Sequence, residues 1–323
     1  LWMDLKYSTK LYMKIKLSFL LILLLFLSII SVKIGDIKGN NEVRGVIIYN
    51  IRLPRTLLSI FVGGNLGIAG AILQSLFHNP LAEPHIIGLS SGALLGTTIY
   101  FLMAGSTWDI DPLLTPWFAI LGSIFVLFLL LIFNQRFQSS NTLILLGVSL
   151  NSLLSSFTSL LLFLKQKTFQ GVYFWILGGF NGKSWNHFYI LLYYSLISIP
   201  WAFLWRKKFN ILFLSEEEIY SLGISLKKIQ PLIIILLTIL IAPSVAVSGM
   251  IGFVGLISPH LMRVWETADY KWLIPSSYLA GSILLLSSDI LSRILFYPTE
   301  IPVGIITSFL GVPFFIYLLI KRQ

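Results

Sequence analysis

The sequence predicts an all-α polytopic membrane protein of about ten transmembrane helices, and three observations predict it. Of 323 residues, 56% are hydrophobic and only 11% are charged, against about 25% charged in an average soluble domain. Mean hydropathy is +0.87. Apolar runs near the roughly 20 residues that a crossing needs recur along the whole chain. They leave no polar stretch long enough for a separate soluble domain, so residues 1–323 read as one membrane domain.

The elements follow in order. Lys6, Lys10, Lys14 and Lys16 lead into a run at 14–33. No small-x-small cleavage site follows it, so it reads as a retained first helix and not a removed leader. Arg52 and Arg55 flank Pro54 at the entry to the second run, 53–78, where Gly63, Gly67 and Ala71 recur at helix-contact spacing with Gly70 one position off. Small faces let helix backbones approach closely in lipid. The turn Asn79-Pro80-Leu81-Ala82-Glu83-Pro84 leads to a third run at 86–104. Runs at 114–133 and 142–164 are separated only by Asn134–Asn141. Then come 187–205, 230–247, 250–266 (short, and interrupted by Pro259), 273–293 and 303–320. The stretches 53–164 and 230–320 each hold four runs and begin on opposite sides, a parity that permits an inverted repeat.

Lysine and arginine in short loops set orientation. With the N-terminus inside, 14 of the 23 basic residues fall on the inner side, so both termini are expected in the cytoplasm. The net charge of +10 is scattered singly between apolar runs and not massed on one face, which argues against a nucleic-acid partner. Cysteine is absent, which excludes thiolate chemistry and disulfides.

Gly178-Gly179-Phe180-Asn181-Gly182-Lys183-Ser184 has the look of a phosphate loop, but Leu177 stands where the pattern requires glycine. After Val172-Tyr173-Phe174-Trp175 it reads instead as an interfacial helix and turn. His78, His85, His187 and His260 show no metal-ligand spacing, so no metal site is expected. Glu83, Asp289 and Glu300 are far apart and no catalytic set is visible; Asp289 and Arg293 suit a helical i,i+4 pair. Asn65, Gln74, Asn151 and Ser155 are polar residues inside runs, hence pathway candidates. No series of intramembrane acids or histidines accompanies them, which favours energy supplied by another subunit over a secondary transporter or channel. The longest inner segment, 206–230, holds a helix start at Ser215-Glu216-Glu217-Glu218 and a stop at Gly223. Leu212, Leu214, Ile219, Leu222 and Ile224 give it apolar teeth suited to a docking surface.

Residues 52–96 resemble the start of the conserved region of FecCD-type permeases, the membrane subunits of ATP-binding-cassette importers for vitamin B12, haem and iron-siderophores. Trp175–Phe180, Ser221-Leu222-Gly223, Ser248–His260, Glu300-Ile301-Pro302-Val303-Gly304 and Gly311–Phe315 extend the likeness over nearly the whole chain, with the vitamin B12 branch nearest in pattern. The resemblance implies a homodimer in a bacterial or archaeal cytoplasmic membrane, with no cofactor of its own. Two cytoplasmic ATPase subunits would use ATP and Mg, and an extracytoplasmic binding protein would deliver a metal chelate or a related oxyanion such as molybdate. It further implies a cytoplasmic gate at Asn79, Leu81, Ser140 and Asn141, where Ser-Asn replaces the family's Thr-Ser. It implies ATPase coupling through Glu216, Glu217, Glu218, Leu222, Gly223 and Ile224. Arg52, Arg55 and Arg293 would receive acidic residues of the binding protein.

Overall fold

The computed structural model describes residues 2–34, 41–104, 111–136, 140–165, 169–214, 216–223, 225–265 and 268–321. Among them it contains helices and no strand. The helices are α1 (Trp2–Lys33), α2 (Asn41–Ile47), α3 (Leu53–Leu76), α4 (Leu89–Met103), α5 (Thr115–Arg136), α6 (Ser140–Leu164) and α7 (Phe169–Leu177). They continue as α8 (Trp185–Leu204), α9 (Arg206–Ile211), α10 (Glu216–Ser221), α11 (Leu226–Ser248), α12 (Val254–Trp265), α13 (Tyr270–Ile294) and α14 (Val303–Lys321). A π-helical turn, Ile48–Arg52, leads into α3, and a 3-10 turn, Pro84–Ile87, precedes α4.

Each of the ten predicted runs coincides with a helix. Seven are long and apolar enough to cross a membrane unaided, and Leu89–Met103 and Val303–Tyr317 are shorter apolar helices. The tenth, α12, has only 12 residues, a rise of about 18 Å. The non-helical stretch 249–253 before it reaches at most about 17 Å further. At full extension the two would reach across the roughly 30 Å of a bilayer core. Non-helical backbone inside a membrane bundle needs partners from the protein, and the turn after α3 supplies them. The Phe253 N–H donates to Glu83 Oε1 at 3.4 Å, and His85 Nε2 donates to the Ile251 carbonyl at 2.9 Å.

Helix α3 is the centre of the bundle: every residue from Val62 to Phe77 is buried. Its glycines make this possible. A methyl group on Gly63 would overlap the carbonyl oxygen of Gly281 on α13, and one on Gly281 would overlap that of Gly63. Two backbones therefore touch where side chains would hold them apart. Gly67 meets Ser277 on the same helix, while Gly70, the residue one position off, meets Gly255 on α12. Around this core, large apolar side chains of α1, α5, α6 and α8 remain exposed, among them Ile22, Phe128, Phe157 and Tyr193. Such all-round hydrophobicity is what a lipid-facing or subunit-facing surface requires.

Candidate functional site

At one end of the bundle, four charged side chains from three elements meet. Asp289, on α13 and fully buried, accepts from Arg55 Nε at 2.9 Å and pairs with Arg55 Nη2 at 2.8 Å. Arg293, one turn on, pairs its Nη2 with Asp289 Oδ2 at 2.9 Å, a Coulombic contact without hydrogen-bond alignment. Glu300, just before α14, accepts from Arg55 Nη1 at 2.8 Å. Arg293 also donates to the Ser31 carbonyl at 2.9 Å and to Ser31 Oγ at 2.6 Å, which ties in α1. Two cations and two anions balance, so α1, α3, α13 and the approach to α14 are locked together without net charge.

The arginines expected to receive a binding protein meet partners within the chain. Arg55 is 7% exposed and holds two carboxylates, and Arg293 is also largely enclosed. Neither offers a free fork to another protein. Arg52, half-buried, donates to the carbonyls of Val32 and Lys33 at 3.1 and 3.3 Å, capping the end of α1. Sequence reasoning found the Asp289–Arg293 pair by its spacing but not that Arg55 joins it, because the acids Arg55 holds lie 234 and 245 residues away.

The four pathway candidates also separate. Asn65 is buried on α3 and donates to Ser195 Oγ of α8 at 2.8 Å and to Ser244 Oγ of α11 at 3.3 Å. Gln74, two and a half turns on and equally buried, donates to the Leu256 carbonyl of α12 at 3.2 Å. Both pin α3 to its neighbours within this chain. Asn151 and Ser155, on α6, are half-buried and stand apart from them.

At the other end, α3 stops at a turn. Asn79 Oδ1 accepts the Leu81 N–H at 3.0 Å, and the Asn79 carbonyl accepts from Ala82 at 3.0 Å, so the side chain builds a local turn before the next proline. The preceding residue, His78, has φ +48°, and its Nε2 donates to the Leu214 carbonyl at 3.1 Å. That bond joins the turn to the segment between α9 and α10. Asn210, on α9 just before that segment, ties it to the start of α13, donating to Asp269 Oδ1 at 2.9 Å and accepting from the Tyr270 N–H at 2.8 Å. No spacing rule pointed to His78 or Asn210. The side chains of Ser140 and Asn141, at the start of α6, lie outside the described residues.

Segment 206–230 folds as the short helices α9 and α10, with Gly223 at φ +73° after the second. Its apolar teeth divide. Leu212 and Ile219 turn inward, against a small cavity of about 120 Å³ shared with Ile211, Leu226 and Ile229. Leu222 is 58% exposed and Phe213 40%, beside exposed Glu218. The outward surface is therefore narrower than the alternating apolar residues suggested. The side chains of Glu216 and Glu217, and all of Ser215 and Ile224, lie outside the described residues.

Among the described residues no cluster of three metal-ligating side chains occurs. The histidines have structural partners: beyond His78 and His85, the His187 ring joins Ser184 in capping α8, and His260 packs edge-on against Phe314.

Comparison with known proteins places these features. The FecCD transport family matches residues 16–321. The hemin transport system permease HmuU of Yersinia pestis is 34% identical over 96% of both chains. The vitamin B12 import permease BtuC of Escherichia coli O127:H6 is 35% identical over 94% of both. A solved metal-chelate type ABC transporter, in an inward-facing conformation, superposes with a TM-score of 0.86 at 33% identity, covering 94% of this chain and 98% of its own. The chain belongs to the FecCD transport family and is a multi-pass permease subunit of an ABC transporter, not an enzyme.

Proposed function

We propose that this permease works as a homodimer in a bacterial or archaeal cytoplasmic membrane and carries a metal chelate of the haem, cobalamin or iron-siderophore class inward. Two ATPase subunits bind the 206–230 segment and use MgATP; an extracytoplasmic binding protein delivers the cargo at the opposite end. The observation that carries the reading is the His78–Leu214 hydrogen bond, which joins the turn holding Asn79 and Leu81 to that segment. A push on α10 reaches the turn through one bonded contact, as a gate driven from an ATPase requires. The relatives' haem and vitamin B12 names support the cargo class.

The buried network recasts docking at the other end. Glu300 is its most exposed member, with a side chain 33% accessible. A carboxylate of the binding protein that takes the place of Glu300 on Arg55 keeps the charge balance, and planar guanidinium binds either equally well. Arg52 lies beside this point on the π-helical turn.

The test is affinity purification of the tagged chain from its host's membranes. The expected result is an ATPase subunit in equal amount, hydrolysing MgATP. Gly223→Val places a side chain on a left-handed backbone and should release the ATPase while leaving the chain inserted. A wild-type chain that purifies without any ATPase would remove the proposal.

A further inference from the structure

A cavity of about 260 Å³ lies between α7, the 178–184 loop and the start of α14. The rings of Phe101, Phe174, Trp175 and Phe180 wall it, with Lys183 and Asn181 beside them. Its rim includes Ile301, next to Glu300, so it opens at the end of the bundle that carries the arginine network. The loop is the one whose sequence mimics a phosphate loop. Its fold is different: it closes with Ser184 capping α8.

Lys183 is the exception in this wall. It is half-buried, and among the described residues its ammonium has neither a hydrogen bond nor a carboxylate. Asp289 and Glu300 are held by Arg55 and Arg293, while Asp111, beside Pro112 of the wall, accepts from the Leu113 N–H and makes no ion pair with Lys183. A second donor on the wall is also unused: the Trp175 indole N–H is buried without an acceptor. Protein usually supplies an enclosed cation with a counter-charge, because an uncompensated one is costly. Here an aromatic, concave site offers two unused donors and has no carboxylate among its lining residues.

We propose that this cavity is an anion subsite for the cargo, taking a carboxylate-bearing arm on Lys183 with the arm's apolar body against the aromatic rings. The proposal rests on the importer reading and adds a chemical preference to it. The volume admits an arm and not a whole macrocyclic chelate. An acidic residue of the binding protein would need no apolar enclosure, so the cargo fits better.

The experiment uses the full chain with its ATPase in nanodiscs of uncharged lipid, without binding protein. Saturation-transfer NMR titrations compare 1-naphthoate with its neutral isostere 1-naphthamide at pH 7. Wild type should bind the carboxylate about tenfold more tightly, as one charge-assisted hydrogen bond implies. Lys183→Ala should bring the ratio near one, weakening naphthoate far more than naphthamide, and Lys183→Arg should keep the preference. Three results would overturn the proposal: no preference in wild type, a preference that survives Lys183→Ala, or a Lys183 effect that arises only after binding protein is added. The last would make Lys183 a docking cation. Loss of ATPase from the preparation would strike the importer reading alone, because the naphthoate ratio requires only the permease.

Discussion

Replacing Asp289 by asparagine keeps the shape of the residue and removes the anion that holds two arginines. In the wild type, Arg55 and Arg293 both lie within 2.9 Å of its carboxylate oxygens. In Asp289→Asn, two enclosed cations share a single carboxylate, Glu300, and that one is a third exposed. Breaking a buried pair from one side costs about 3–5 kcal/mol, since the remaining charge stays desolvated. At about 2–4 °C per kcal/mol for a chain of moderate size, the apparent Tm should fall on the order of 10 °C. The assay is size-exclusion thermostability of the detergent-solubilised chain at fixed salt. Adding Arg293→Gln removes the surplus cation, so the double variant should recover about half of the loss, a coupling that independent sites do not show. The reasoning fails if Asp289→Asn melts within about 2 °C of wild type, or if the two substitutions simply add.

Three other outcomes follow from the same structure. Gly63→Val should abolish accumulation of folded permease in the membrane, because the new side chain overlaps the Gly281 carbonyl on α13; undiminished expression and monodispersity would contradict the close approach. Burial pulls the Lys183 ammonium from the usual 10.5 down to about 8. The unfolded chain thus holds the extra proton between those values, and stability rises with pH across that window. Lys183→Met should therefore raise the stability at pH 7, by up to about 3.4 kcal/mol and visible as a higher Tm, and the gain should shrink from pH 8 to vanish near 10.5; a constant or negative difference would contradict it. In this cysteine-free chain, Asn181→Cys should react with an impermeant thiol reagent on whole cells and Ser221→Cys should not, both positions being exposed; the reverse pattern would invert the topology.

The fold was legible because lipid demands long apolar helices and punishes everything else. Even the short α12 was visible as an apolar run, although its completion by 249–253 depends on Glu83 and His85, residues about 170 positions away. The glycine spacing on α3 announced close packing, but it could not say that Gly63 and Gly67 meet α13 while Gly70 meets α12. Local rules served the site in the same uneven way. They read the Asp289–Arg293 pair one helical turn apart, and they could not see that Arg55 joins it across the fold. The polarity of Asn65 and Gln74 marked them out as pathway candidates, but it could not show that each also fastens α3 to a neighbouring helix. Lys183 sat in a motif dismissed for its glycines, and only the enclosing rings show why a lone cation matters there.

Cargo accumulation in proteoliposomes tests the central claim most directly. Vesicles holding the purified permease–ATPase complex would receive binding protein outside and MgATP inside, with radiolabelled ferric haem, cobalamin and a ferric siderophore offered in turn. The account predicts that at least one chelate accumulates, that uptake needs both ATP and the ATPase, and that His78→Ala lowers uptake while hydrolysis continues. Accumulation by the permease alone, driven by a proton or sodium gradient, would contradict it.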